Sequence, residues 1–295
     1  MCKLNGLFTV LILWFVFSST DAFSTPVDIA KAREVVYKVE DQQIFQRYID
    51  YIRPWQSAPI DSLLEKTATF FVGTPYVAHT LEMEGEERLV VNLREFDCTT
   101  FVESVIALVR TVLSDDADFA TFLHQLQQIR YRDANLDGYP SRLHYTSDWL
   151  YDNEKMGVLR NISARLGGVL ETKKIDFMTT HPDAYRQLKD NDAMLQEMQV
   201  VEKEINSRGG FYYLSKENIT PMASKIPHMS VIAFVTSIKG LDVTHMGFAF
   251  RTGEGRLTFI HASSTLKKVV IDKKTLSDYC AGQSSCTGII VAEVL

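Results

Sequence analysis

The chain has 295 residues, of which 46% are hydrophobic and 23% are charged, and its formal net charge is −6. This length is enough for one well-packed core and a second, smaller one. An acidic chain without basic clusters argues against nucleic acids and anionic membrane surfaces as partners. Local Arg or Lys groups would therefore have to hold any anionic substrate.

The N-terminal segment predicts export. Lys3 precedes an unbroken apolar stretch over residues 7–17, and small residues follow, with Thr20 and Ala22 at positions −3 and −1 of a cleavage site. The stretch is about half the ~20 residues that a transmembrane helix needs, and no later segment is long and apolar enough to replace it. We therefore expect a signal peptide over residues 1–22 and a soluble, periplasmic or secreted mature chain.

Three stretches follow the signal peptide. In residues 23–130 apolar positions recur at intervals of three and four, which predicts a helical half. Residues 131–225 are more polar, with one predicted long helix from Asp183 to Asn206. Residues 226–295 show the alternation of strands, predicted at Val231–Val235, Met246–Arg251, Leu257–His261, Val269–Ile271 and Ile289–Val294. This order predicts an α+β fold in which residues 131–225 form an inserted auxiliary unit.

Three cysteines remain after residue 22. Cys280 and Cys286 are six residues apart and can close a short disulfide loop worth ~2 kcal/mol in an oxidising compartment. Cys98 has no nearby partner, so it is either a buried apolar side chain or a reactive thiol.

Cys98 begins a predicted helix. Phe101, Val102 and Val105 continue an apolar stripe from it, and Asp97 is suited to cap the helix. The free N–H groups and the macrodipole at a helix N-terminus favour a thiolate, whereas the Asp97 charge opposes it. We expect the pKa of Cys98 to be lowered and its alkylation to be fast.

Two histidines lie on one predicted hairpin. A turn centred on Gly253 would place His245 directly opposite His261 on one face, and the small Gly247 and Ala249 on that face would let a helix end approach. A turn one residue longer or shorter would separate the histidines. Each alone is more often structural, but a thiol and two imidazoles together form a nucleophile, its base and its orienting group.

Four motifs resemble those of the NlpC-type, papain-fold cysteine peptidases of bacterial cell walls. They are Gly73–Tyr76, Asp97–Val102, Thr244–Gly247 and Phe259–Ser263. Thr99 replaces the serine that usually follows the cysteine in this superfamily. This replacement resembles the N-acetylmuramoyl-L-alanine amidase-like branch, as do the dipeptide Asn92-Leu93 and the stretch Ser141–Trp149. The resemblance implies an NlpC-type core, an auxiliary domain and an amidase acting on 1,6-anhydro-muramyl peptides.

In this interpretation Cys98 attacks the lactyl carbonyl, His245 transfers the proton and His261 orients His245. The resemblance assigns the oxyanion to the Tyr76 hydroxyl beside the Cys98 N–H, although Tyr76 is equally suited to packing against Pro75. Four further residues combine cationic and aromatic groups suited to a sugar and a carboxylated peptide; the alternative is a solvated loop with one buried Trp. They are Arg142, His144, Tyr145 and Trp149.

Several alternatives remain open at this stage. The same machinery would serve an endopeptidase cutting after γ-D-glutamate, and the chain could be a non-catalytic wall-binding module. One Cys and two His could also ligate zinc, although no CxxC, HxxxH or HExxH spacing supports a metal site. We therefore predict no cofactor and no metal, a monomer, and peptidoglycan fragments as partners.

Overall fold

The structure, a computed structural model, describes residues 35–295. The predicted signal peptide lies outside the described residues. Within them, no helix has the length and apolar character needed to cross a membrane. Helices and strands both contribute substantially, which agrees with the predicted α+β class.

Four helices form in the predicted helical half of the described chain, and two short parallel strands accompany them. The helices are α1 (Val39–Ile52), α2 (Ile60–Phe70), α3 (Cys98–Val112) and α4 (Phe119–Arg130), and the strands are β1 (Val35–Val36) and β2 (Leu89–Val90). Helix α3 is buried over most of its length. Its start confirms the predicted cap, because the Asp97 carboxylate accepts the Thr100 N–H at 2.8 Å.

The C-terminal part of the chain forms strands wherever alternation predicted them. These strands are β6 (Val231–Thr236), β7 (Val243–Arg251), β8 (Leu257–Ser263), β9 (Lys268–Ile271) and β10 (Cys286–Val294). They form the sheet order β10-β6-β7-β8-β9 with antiparallel pairing throughout. Helix α9 (Leu276–Ala281) lies between β9 and β10 and was not predicted.

The middle of the chain combines helices with strands that extend the same sheet. Its elements are α5 (Thr146–Lys155), β3 (Leu159–Asn161), β4 (Val169–Glu171), α6 (Phe177–Thr180), α7 (Asp192–Ser207), β5 (Phe211–Ser215) and α8 (Lys216–Met222). β3 and β5 pair with β10, and β4 pairs with β5. This region also has a small apolar core of its own, around Tyr145 and Met198. Its assignment as an inserted auxiliary unit over residues 131–225 stays a prediction.

The predicted helix from Asp183 to Asn206 is wrong at its N-terminus. Residues 182–184 form a separate 3-10 turn, and α7 begins only at Asp192. The Asn191 side chain accepts the Met194 N–H at 3.1 Å. This cap supplies a helix start inside the predicted element, which periodicity alone does not show.

The two faces of β7 and β8 belong to different cores. Helix α3 packs on the face of Met246, Phe248 and Ile260, and the Phe101 ring lies 6.0 Å from that of Phe248. Ala249 and Phe259 point to the opposite core, which includes residues of α8 and α9. The body of α3 therefore packs on the face opposite Gly247 and Ala249, while Cys98 at its start lies near the Met246 N–H.

Candidate active site

The Cys98 thiol lies at the N-terminus of α3, directly after the capping residue Asp97. Cys98 is half-buried and is the free cysteine among the described residues. The N–H groups at the first helical positions have no intrahelical partner, so those of Cys98 and Thr99 can receive a negatively charged oxygen. A free thiol and unpaired hydrogen-bond donors therefore lie at one point.

The two histidines share one face, although the predicted register is wrong. β7 pairs Arg251 with Leu257 rather than with Gly255, so the ladder is displaced by two residues and continues only to Phe248 and Ile260. A two-residue displacement preserves the face of every side chain, since strand side chains alternate. His245 and His261 still meet, with His245 Nε2 and His261 Nδ1 at 2.6 Å.

Gly247 makes room for this contact. A Cβ atom at this position would lie 2.6 Å from the Ile260 carbonyl oxygen and 2.9 Å from the His261 Cβ atom. Both contacts are closer than packed atoms allow, so a side chain would displace β8 and His261 with it. Gly247 is therefore needed for the close approach of the two strands that brings His245 and His261 together.

Asp272 extends the pair into a chain of three side chains and was missed in the sequence. Its Oδ2 atom lies 3.3 Å from His261 Nε2. An ionised carboxylate requires Nε2–H on His261, which leaves Nδ1 as the acceptor for Nε2–H of His245. The Nδ1 atom of His245 then carries a lone pair, and it makes no hydrogen bond with the described residues. This proton assignment gives His245 the form of a base.

Tyr279 was also missed, and it packs against both imidazoles. Its ring centroid lies 6.0 Å from that of His245 and 5.7 Å from that of His261. Burial raises the pKa of Tyr279 to about 12, and the charges of Asp272 and Cys98 add to this rise. The next residue, Cys280, is bonded to Cys286, with the Cα atoms 5.6 Å apart. The disulfide thus fixes the helix that carries Tyr279.

Tyr76 is held beside the start of α3 by backbone bonds. Its N–H donates to the Lys267 carbonyl oxygen at 2.9 Å, and the following N–H, of Val77, donates to that of Phe96 at 3.0 Å. Burial raises the pKa of Tyr76, and the Cys98 and Asp97 charges raise it further. The hydroxyl makes no hydrogen bond with the described residues, so the structure brings Tyr76 near Cys98 with a donor to spare.

The titration of the site differs from the sequence-based expectation. Burial, followed by the Asp97 charge, raises the pKa of the Cys98 thiol to about 12, while nearby donors from Met246 and Thr99 lower it only in part. Burial and His261 lower the pKa of His245 to about 3, and burial lowers that of His261 to about 4. The expected activated thiolate is therefore corrected: the Cys98 thiol and the His245 imidazole are both neutral at pH 7.

Slow alkylation follows from this correction. Iodoacetamide reacts with the thiolate form of cysteine. At pH 7 a thiol with a pKa of about 12 has about a thousandfold smaller thiolate fraction than a thiol with the ordinary pKa of 9.0. We expect Cys98 to be modified far more slowly than in the urea-unfolded chain, with a rate that rises about tenfold per pH unit beyond pH 9. Mass spectrometry of timed samples measures both rates. Rapid labelling of the folded chain at pH 6–7 would instead show a preformed thiolate–imidazolium pair.

Two of the predicted sugar contacts are core residues. The side chains of Trp149 and Tyr145 are each 2% exposed. The Tyr145 hydroxyl donates to Glu202 at 2.7 Å and accepts the Met178 N–H at 2.8 Å. A ring this deeply buried offers no face for stacking, so neither residue makes the predicted contact.

The other two predicted contacts are committed to structural partners. Arg142 is buried, and its guanidinium lies 2.7 Å from Glu82 and 3.5 Å from Glu87. His144 Nε2 lies 2.9 Å from the Tyr139 carbonyl oxygen, and burial with the nearby Arg142 holds the pKa of His144 well below its usual value. The Arg142 charge is paired with carboxylates inside the protein and His144 contacts a backbone carbonyl oxygen, which corrects the prediction that they bind substrate.

In residues 35–295, no three His, Cys, Asp or Glu side chains are grouped so that they could hold a metal ion. The site combines the Cys98 thiol, which lies near the Met246 N–H, with the hydrogen-bonded chain of His245, His261 and Asp272 and with two tyrosines, Tyr76 and Tyr279. Such a set can transfer a proton from a thiol and deliver it to a leaving group.

Residues 66–289 match the AmiA-like family, described as N-acetylmuramoyl-L-alanine amidase-like. The match spans most of the chain, and the chain therefore belongs to this family. The family match and the similar solved structures named as amidases together support the assignment of this chain as an enzyme of the peptidoglycan amidase class. No curated protein matches the chain significantly.

Solved structures are similar over nearly their whole length. An N-acetylmuramoyl-L-alanine amidase from Bacteroides uniformis is 36% identical, with 80% of this chain and 99% of that chain covered and a TM-score of 0.74. A Bacteroides fragilis protein proposed to be a xylanase is 38% identical over 77% of this chain and 99% of that one, with a TM-score of 0.71. A Legionella pneumophila protein, 22% identical with a TM-score of 0.63, covers 90% of this chain and 96% of its own and shares the fold.

Proposed function

We propose that this chain is a cysteine amidase that hydrolyses the amide between N-acetylmuramic acid, in its 1,6-anhydro form, and L-alanine in peptidoglycan fragments. The observation that carries the proposal is the hydrogen-bonded chain of His245, His261 and Asp272, together with a free Cys98 thiol at a helix N-terminus that lies near the Met246 N–H, the residue after His245. Membership of the amidase-like family supports the bond class. The proposal includes a papain-like NlpC core, export through the signal peptide, and action as a monomer.

The proposed reaction begins with a neutral thiol. As Cys98 Sγ attacks the lactyl carbonyl carbon, its proton passes to Nδ1 of His245, so charge develops only in the transition state. The resulting oxyanion is bound by the Cys98 N–H and the Tyr76 hydroxyl, which both have a free donor. This sequence suits the titration of the site, because neither a thiolate nor an imidazolium is stable there beforehand.

The second half of the reaction reverses the roles. His245 gives its proton to the amine of L-alanine as the C–N bond breaks, which leaves the muramoyl group on Cys98 as a thioester. Water then attacks the thioester, His245 takes its proton, and the thiolate leaves and is reprotonated. His261 holds His245 in position throughout, and Asp272 fixes the tautomer of His261.

The xylanase description of the Bacteroides fragilis protein suggests a different substrate, but glycoside hydrolysis typically uses two carboxyl groups that face one sugar bond. The reactive group at α3 is a thiol, whose natural target is an acyl carbon. An endopeptidase with the same residues is the stronger alternative.

A comparison of two substrates separates the amidase from the endopeptidase. We expect anhydro-muropeptide to be cleaved at least about a hundredfold faster than a bare tetrapeptide beginning with a free L-alanine amine, because the bare peptide lacks the scissile amide. Chromatography of both digests at equal enzyme concentration measures this ratio. Equal cleavage of the bare tetrapeptide would overturn the amidase assignment and favour the endopeptidase.

A further inference from the structure

A cavity of about 580 Å³ opens among α5, the end of α7, and strands β4 and β5. Its lining includes Ser147, Tyr151, Lys173, Arg208 and Tyr212, and none of the groups around Cys98. Tyr151 and Tyr212 are 49% and 45% exposed, so their rings are open to a ligand. A cavity of this size accepts a small molecule or a few residues of peptide.

Lys173 is the unpaired cation of this cavity. Its half-buried ammonium donates to the Thr236 carbonyl oxygen and forms no ion pair with the described residues. Arg208, by contrast, is neutralised by Asp148 at 2.6 Å and Glu204 at 2.9 Å. An ammonium with donors left over in a partly enclosed site is suited to an anionic ligand.

The cavity adjoins the end of the sheet that carries the histidines. Lys173 contacts Thr236 at the end of β6, and Ser147 contacts Asp242 just before β7. Asp242 precedes His245 by three residues, which corresponds to about 10 Å along a strand. The cavity therefore borders the end of β7 that leads to His245.

We propose that this cavity binds the carboxylates of the peptide part of the substrate, with Lys173 as the cationic contact. The inference rests on the proposed amidase function, in which the peptide leaves with L-alanine at its N-terminus. Two or three further residues extend about 7–10 Å at ~3.5 Å per residue. A γ-linked glutamate and the residues after it carry free carboxylates at that distance.

Two substrates and three variants test the proposal. Anhydro-muropeptide with free peptide carboxylates is compared with the same molecule amidated at those carboxylates. We expect the wild-type chain to have a KM about ten- to a hundredfold lower for the carboxylated form, with similar kcat, since a charge-assisted contact is lost on amidation. Lys173→Met should abolish this preference and Lys173→Arg should retain it. The matched control is Lys174→Met, which removes an exposed neighbour paired with Asp176 at 2.9 Å and should behave as wild type.

Equal KM values for the two substrates in the wild-type chain would overturn the inference, as would a preference that survives Lys173→Met. Thermal unfolding of each variant identifies a loss of folding. If the wild-type chain cleaves neither muropeptide, the amidase proposal fails, and the cavity is then tested by calorimetry with the free carboxylated peptide. In that case binding by the wild-type chain that Lys173→Met abolishes supports the cavity, and no binding by the wild-type chain refutes it.

Discussion

Cys98→Ala is expected to lower kcat/KM on anhydro-muropeptide by about four to six orders of magnitude while leaving the fold intact. The expected loss is large because no other group can form the thioester, and residual catalysis would come only from binding and the oxyanion donors. The half-buried thiol fills little space at the helix start, so the alanine variant should unfold within a few degrees of the wild-type chain. Single-turnover kinetics and a thermal melt measure the two effects.

Two matched variants control this experiment. Cys98→Ser keeps the shape of the side chain but supplies a poorer nucleophile, so it should be nearly as inactive as Cys98→Ala. Leu113→Ala changes an exposed residue at the other end of α3 and should keep full activity. A Cys98→Ala chain with wild-type turnover would contradict the nucleophile assignment. Activity lost to a chelator and restored specifically by zinc would favour the metal alternative.

His245→Ala is expected to lower kcat by about three to five orders of magnitude, since the neutral thiol then has no base. His261→Asn should retain at least about tenfold more activity than His261→Ala. The amide oxygen of asparagine can accept the Nε2–H of His245 where His261 Nδ1 now lies, at 2.6 Å. Steady-state kinetics of the three variants on anhydro-muropeptide measure this order.

The pH dependence of activity follows from the lowered pKa of His245. Because this pKa is lowered to about 3, kcat/KM of the wild-type chain should stay flat from about pH 5 to pH 8 and fall only at more acidic pH.

Variants of Asp272 and His261 test whether these residues orient His245. Asp272→Asn should lower kcat with little change in KM, since Asp272 acts through His261 rather than on the substrate. His261→Ala with wild-type kcat, or equal loss in His261→Asn and His261→Ala, would contradict the proposed orientation.

The sequence predicts the histidine pair because its geometry is local. A hairpin joins β7 and β8, and alternation places the residues of each strand on defined faces. The register was wrong because the turn is centred on Glu254 rather than on Gly253: Arg251 pairs with Leu257, and the Thr252 N–H donates to the Arg256 carbonyl oxygen at 2.9 Å. The error was an even number of residues, so His245 and His261 stayed on one face.

The failed predictions depend on contacts far apart in sequence. Arg142 has the composition of a ligand-binding residue, but its partners Glu82 and Glu87 lie more than fifty residues away. Burial of Cys98, which outweighs the helix dipole, likewise arises only in the folded chain. Asp272 and Tyr279 had weak local signals, since they follow a predicted strand and adjoin a predicted disulfide. Nothing local indicated that either would meet a histidine.

The masses of the products from a defined anhydro-disaccharide tetrapeptide identify the bond that the chain cuts. We predict a disaccharide that ends in a free lactyl carboxylate and an intact tetrapeptide that begins with L-alanine. Both products should be absent with the Cys98→Ala chain. A sugar product that still carries L-alanine and glutamate would contradict the claim, because the bond cut would then lie within the peptide.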